Sequence, residues 1–229
     1  MALDLDVLVH RQQIWPNWKL PAPIFRTNLK NDFFYPKIFK GLWTVTSIDL
    51  NNINKQPLTY SARFIDDENG HIIADRKFNA KSIGQQFLKN QLLEIKQDTY
   101  SPNRQLALFK NGDYMQTKVI GRRQIDNDVV LFMGDELTLQ IFHDPFNTRI
   151  SQTELLSRFS FCKPNEELSI PLSRQTICGE QWQAIYGEPN LSLDTDPLNK
   201  KWRTRDVLKN NKFYIYLPLS ITPSFISTG

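Results

Sequence analysis

The stretch YPKIFKGLWTVTSIDL, residues 35–50, decides how the rest of the chain is read. A glycine at 41 and a tryptophan at 43 stand at the mouth of a segment rich in β-branched residues. Such side chains suit a pleated, half-buried surface, so Leu42–Leu50 reads as a strand. Gly41 permits a turn into it that a Cβ would hinder, and Trp43 plants one bulky apolar group just inside.

The same signals recur along the chain. Thr59–Asp66 and His71–Asn79 read as strands flanking DDENG, whose Asn69-Gly70 pair closes a tight hairpin through positive φ. Tyr60, Ala62 and Phe64 alternate with Ser61 and Arg63, the period of two that marks a half-buried strand. Asn79 is placed to cap a short helix over Ala80–Leu88, with Ala80, Ile83, Gly84 and Phe87 on one stripe. Leu92–Thr99, Gln105–Lys110 and Tyr114–Arg123 follow, separated by the turns Ser101-Pro102-Asn103 and Asn111-Gly112. Val129–Phe132, Leu137–Phe142, Glu154–Cys162, Thr176–Tyr186 and Lys212–Ile221 complete the series. This is an all-β chain of about 8–10 antiparallel strands with one short helix, and no repeated βαβ unit. Such a set hides its edges by closing into an up-and-down barrel or by folding into a two-sheet sandwich.

Composition agrees with a folded β domain. In 229 residues, 40% hydrophobic and 23% charged, there are fifteen Phe, seven Tyr and five Trp against nine Gly and three Met, a core built from flat, bulky side chains. The formal charge of +4 is spread out, with Arg122-Arg123 and Lys200–Arg205 as the dense groups, both read as solvated, so no nucleic-acid partner is expected. No run reaches the roughly 18 apolar residues of a membrane helix, and MALDLDVL, with two aspartates and no basic head, is not read as a signal peptide. Residues 11–34, broken by Pro16, Pro21 and Pro23, read as an extended strap whose Trp15, Trp18, Ile24 and Phe25 pack on the barrel. The expected organisation is a strap over 1–34, a barrel over 35–222 and an irregular tail over 223–229.

Chemistry-bearing motifs are sparse. His10, His71 and His143 lie far apart with no metal-ligand spacing, and nucleophile elbows, phosphate loops and dinucleotide fingerprints are missing. Asp194-Thr195-Asp196 is followed by Pro197 and lacks the glycine of a calcium loop, so it reads as a turn. Asp66-Asp67-Glu68 and Asp135-Glu136 read as solvated charge beside strands. No catalytic residue, metal site or cofactor is assigned. If the segments around 155–162 and 174–185 form a hairpin, Cys162 and Cys178 lie opposite each other, as a disulfide or as two buried thiols according to compartment. Neighbouring strand residues face opposite sides, so one of Arg122 and Arg123 points inward and needs a carboxylate, internal or a ligand's. Tyr60, Phe64, Phe78, Phe161 and Trp182 either line a cavity or fill it, since a small barrel holds its own side chains or one small ligand.

Gly41-Leu42-Trp43 resembles the G-x-W opening of lipocalins and fatty-acid-binding barrels. With WPNWKLPAPI, DFFYPKIFKGLWTVTS, FNAKSI, SPNRQLALF, KVIGRRQ and GEQWQAIY, residues 15–187 resemble a lipocalin-like domain of unknown function found in cyanobacteria and plastids. The resemblance implies a lipocalin-like β-barrel with Trp43 lying across its closed end. One departure is that lipocalins stack an arginine of the last strand on that tryptophan, whereas KFYIYLPLSI offers only Lys212. Family members often carry a leader directing them to the thylakoid lumen or plastid. The expected function is non-enzymatic binding of a small hydrophobic ligand, a pigment, lipid or tetrapyrrole, in a photosynthetic organism. The expected ligand-binding residues are Trp43, Tyr60, Phe64, Phe78, Arg122, Arg123, Phe161 and Trp182. A scaffold or assembly factor with a photosynthetic protein partner is the alternative. A bilin-lyase-like enzyme, sharing only G-x-W, is the third.

Overall fold

Ten antiparallel strands form one sheet in the computed structural model, which describes residues 2–22, 32–125, 131–162, 176–187 and 201–210. They are β1 (Gly41–Asp49), β2 (Leu58–Asp66), β3 (Ile72–Ala74), β4 (Leu92–Gln97), β5 (Arg104–Phe109), β6 (Tyr114–Ile125), β7 (Phe132–His143), β8 (Thr148–Phe161), β9 (Thr176–Tyr186) and β10 (Lys201–Asn210). Two helices accompany them, α1 (Ala2–Gln13) and α2 (Arg76–Leu88). The strand order is β3-β2-β1-β10-β9-β8-β7-β6-β5-β4, so first pairs with last in mid-sheet and the sheet curls into a half-barrel. Its outermost strands, β3 and β4, are consecutive in sequence, and Tyr35 bridges the outer edge of β3 at Ile72. The connection between them contains α2, which packs on both β2 and β4 and spans the gap. Closure is therefore part hydrogen-bonded and part helical.

Gly41 stands at φ +128°, the backbone freedom expected of the turn into β1, and Gly70 at φ +81° makes the hairpin turn between β2 and β3. The strand expected over His71–Asn79 stops after Ala74. Asp75 ends it by capping α2, its carboxylate accepting from the Phe78 backbone N–H at 3.0 Å, so the helix begins four residues earlier than Ala80. Asn79 has a different task. Its side chain accepts from the Arg63 N–H at 2.7 Å and donates to the Arg63 carbonyl at 3.1 Å, standing in for the missing strand partner along β2.

Two further expectations change. β7 reaches back to Phe132, beyond the strand expected over Leu137–Phe142, because Asp135 is buried and Glu136 is paired with Arg76, so neither interrupts it; Val129 and Val130 of the strand expected over Val129–Phe132 lie outside the described residues. The basic run at 200–205 is not a solvated loop: β10 starts at Lys201, and Arg203 pairs with Glu180 at 3.2 Å while its guanidinium lies 5.2 Å over the Trp182 ring. The segments Lys212–Ile221 and 223–229 lie outside the described residues, as do Ile24 and Phe25.

Alternation through the strands makes two apolar layers. Facing inward, Phe33, Phe39, Trp43, Val45, Phe64, Phe132, Phe159, Ile177 and Leu208 form the inner core. Trp43 is wholly buried and its indole N–H donates to the Phe39 carbonyl at 2.6 Å, which satisfies the one polar atom of the ring. On the outer face Ile125, Met133, Leu156, Trp182, Ala184 and Tyr186 are covered by Leu8 of α1 and by Trp18. The N-terminal strap thus begins as a helix, clad on the sheet as its tryptophans suggested.

Cys162 and Cys178 are joined in a disulfide, their Cα atoms 4.8 Å apart. Alkylation of the denatured protein without reductant is expected to add no mass; two alkyl groups on the intact chain would refute the bond.

Candidate ligand-binding cavity

The inner face does not fill completely. A cavity of about 290 Å³ remains inside the half-barrel. Val45, Ala62, Phe64, Phe132, Leu155, Phe159 and Leu208 give it apolar walls, and Ala80 and Ile83 of α2 close one side. Below it the rings pack against one another, Tyr35 stacked on Phe132 at 4.4 Å and Phe39 edge-on to Phe64 at 5.2 Å. Of the five aromatics expected to line or fill the interior, Tyr60 and Phe64 line this space, and Phe78, Phe161 and Trp182 are not among its lining residues. A larger hollow, about 400 Å³, is a groove on the opposite face of β4–β7, bordered by the exposed Lys96 and Arg104.

Two polar walls meet the cavity. At one, Arg76 of α2 donates through Nε and Nη2 to Asp32 at 2.7–3.0 Å and through Nη1 and Nη2 to Glu136 at 3.1 and 2.6 Å. Arg122 donates to the same Glu136 at 2.7 and 3.1 Å and to Asn103 at 2.7 Å, with its guanidinium 4.7 Å over Phe33. Burial alone would raise Glu136, but Arg76 and Arg122 outweigh it and hold the carboxyl down at about 2. At the other wall stand Tyr60, Ser157, Gln181 and Asp206. Burial pushes Asp206 up to about 6 against a hydrogen bond from Ser47, and burial, then the Asp206 charge, raise the Tyr60 phenol.

A second ionic cluster clamps α1 outside the sheet. Arg11 grips Glu154 with two bonds of 2.6 Å, Tyr186 donates to Glu154 at 2.5 Å, and the Trp18 N–H donates to the Arg11 carbonyl at 2.6 Å. Beside them Asp135 is held well above the ordinary carboxylate range, by burial first and by Glu154 second.

The eight expected binding residues scatter accordingly. Tyr60 and Phe64 line the cavity. Trp43 is sealed in the inner core, and Arg122 faces inward but is engaged with Glu136, an internal carboxylate. Arg123 faces the other side, toward Asp135. Phe78 lies on α2 with the Arg63 guanidinium 4.4 Å over its ring. Phe161 is 50% exposed at the end of β8, and Trp182 is on the outer face beneath Arg203. Asp32, Arg76 and Asp206 were not singled out by sequence, and Asp135-Glu136, read there as solvated charge, is instead buried at Asp135 and, at Glu136, paired with Arg76 and Arg122. The available signal was register: continuing the alternation of β7 back through GDELTLQIFH sets Glu136 directly opposite Arg122.

Gly179 shows how tightly the cavity wall is built. A Cβ there would stand 2.5 Å from Phe159 Cδ1 and closer still to Cε1. Gly179→Ala is expected to drive that ring into the cavity and to cost about 1–3 kcal/mol, read from the denaturant midpoint.

Among the described residues no group of three or more His, Cys, Asp or Glu is set to hold a metal, and no helix is long and apolar enough to cross a membrane. The profile of a domain of unknown function, DUF6816, matches residues 48–193. The chain belongs to that family. No curated protein and no solved structure matches it. The matched span holds Arg76, Arg122 and Glu136, so one polar wall of the cavity lies in the DUF6816 region, while Trp43 and Asp206 lie just outside it.

Proposed function

We propose that this DUF6816 protein binds a small hydrophobic molecule inside its half-barrel and holds it without transforming it. The observation that carries the reading is the interior cavity, walled by aromatic and aliphatic side chains with a few convergent polar groups. Small-molecule sites run from about 300 to 1,000 Å³, and this one falls just below that range, which favours a compact ligand or one ring system of a larger pigment, lipid or tetrapyrrole. The G-x-W opening supports a lipocalin-like use of the barrel interior, and the sequence resemblance supports a photosynthetic setting. The charged groups of one wall, Arg76 and Glu136, are bound to each other, so they serve to hold α2 in place rather than to do chemistry.

The test is titration with N-phenyl-1-naphthylamine, whose fluorescence rises on entering an apolar site. The wild type is expected to show saturable enhancement. Ala62→Phe fills the cavity from β2 and Ala80→Phe from α2; each is expected to weaken binding at least about tenfold, roughly 1.4 kcal/mol. A wild type that gives no saturable signal, or folded variants that bind as tightly as it does, would overturn the reading.

A further inference from the structure

The wall made by β10 differs in kind from the rest of the cavity. Register places Asp206 between Ser47 of β1 and Gly179 of β9, on the inner face. Ser47 hydrogen-bonds the carboxylate on one side. On the other side Gly179 offers no side chain, and the Phe159 ring occupies the space a Cβ would take. Asp206 is 1% exposed and lines the cavity, and its Oδ1 has no hydrogen-bond partner among the described residues.

Charge balance sharpens the point. The other charged side chains lining the cavity are Arg76 and Glu136, and these belong to a network with Asp32 and Arg122 that sets two cations against two anions. That network is neutral in itself. Asp206 is outside it, and the remaining polar neighbours, Tyr60, Ser157 and Gln181, carry no cationic group. A desolvated carboxylate with an unpaired oxygen is unfavourable unless something donates to it, and a cationic donor gives the stronger, charge-assisted bond.

We propose that the cavity selects ligands in which a compact apolar body carries a protonated amine that reaches Asp206 Oδ1. The inference rests on the cavity being a ligand site and adds the class of ligand. It also excludes one: a fatty acid or other carboxylate would set two anions against each other inside a low-dielectric space. A neutral hydrocarbon would satisfy the walls and leave Asp206 unpaired. Sites built to bond a polar group reject analogues that lack it far more strongly than apolar pockets discriminate by size.

The experiment uses three naphthalenes in competition with N-phenyl-1-naphthylamine on the intact protein at pH 8. They are 1-(aminomethyl)naphthalene, 1-ethylnaphthalene, in which a methyl replaces the ammonium, and 1-naphthylacetate. The amine is expected to bind at least about tenfold tighter than the ethyl compound, and the acetate weakest. Asp206→Asn is expected to abolish the preference while leaving the ethyl compound bound. An amine no tighter than the ethyl compound in the wild type overturns the proposal without any variant having to fold. So does a preference that survives Asp206→Asn. If ethylnaphthalene binds without amine preference, the cavity is still a ligand site and only this inference falls. If no naphthalene displaces the probe and the probe itself does not bind, both readings fall together.

Discussion

Arg76→Met is expected to lower the free energy of unfolding by about 3–5 kcal/mol, the range for stripping one partner from a buried ion pair. Arg76 is the only cation that reaches both Asp32 and Glu136 at 3.1 Å or less among the described contacts. Their side chains are 4% and 15% exposed, so neither charge is recovered by water. Without Arg76, two carboxylates face Arg122 alone, which stands 3.4 Å from Asp32. The residue also begins α2, the helix that spans the gap between β3 and β4, so the substitution unclasps the element that completes the barrel. The pH profile supplies a second readout. Glu136 titrates at about 2 in the fold against an ordinary 4.5, so its contribution is present above about 4.5 and disappears as pH falls toward 2. That acid-sensitive part, about 3 kcal/mol for a shift of this size, is expected to shrink in Arg76→Met. A urea series showing less than about 1 kcal/mol lost, with the acid limb unchanged, would refute the network as a structural clasp.

The expectations that held are those written in short-range pattern. Alternation in Tyr60–Phe64 and the Asn69-Gly70 turn specify β2 and its hairpin because side-chain period and positive φ are local properties. What the local reading could not supply is pairing across the chain. Arg11 and Glu154 are 143 residues apart and Arg76 and Glu136 are 60 apart, so nothing near either member announces the other. A cationic residue in such a pair looks like a solvated one until its partner is placed. Lys201–Asn210 illustrates a different failure, in which composition masks pattern. Its density of Lys and Arg suggests a loop, yet Arg203 and Arg205 fall on the outer face and Asp206 and Leu208 are buried in β10, as an amphipathic strand requires. The 71–79 segment failed for a third reason. One short polar side chain, Asp75, tips HIIADRKFN from strand to helix by accepting the free Phe78 N–H in the first turn of α2.

Asp206→Asn is expected to do the opposite of Arg76→Met and stabilise the ligand-free protein, by about 3 kcal/mol at pH 8. The sign follows from linkage. Asp206 titrates at about 6 in the fold and near 3.8 when unfolded, so between those values the unfolded chain loses its proton first and stability falls as pH rises. Below about 4 both states are protonated and the wild type and variant should differ little. Above about 6 both are ionised and the full penalty of the buried charge is expressed in the wild type alone. Denaturation at pH 4, 6 and 8 reads this directly as a gap that opens with pH and then levels off. A variant less stable than the wild type at pH 8, or a gap independent of pH, would show that Asp206 is satisfied in the fold and would remove the reason for a cationic ligand. Saturating 1-(aminomethyl)naphthalene should close the gap from the wild-type side, because an ammonium at Oδ1 restores to the buried carboxylate the partner that folding alone does not provide. A fold that retains a destabilising carboxylate at the wall of an inner cavity trades stability for recognition, and the trade makes physical sense only if a donor occupies that space.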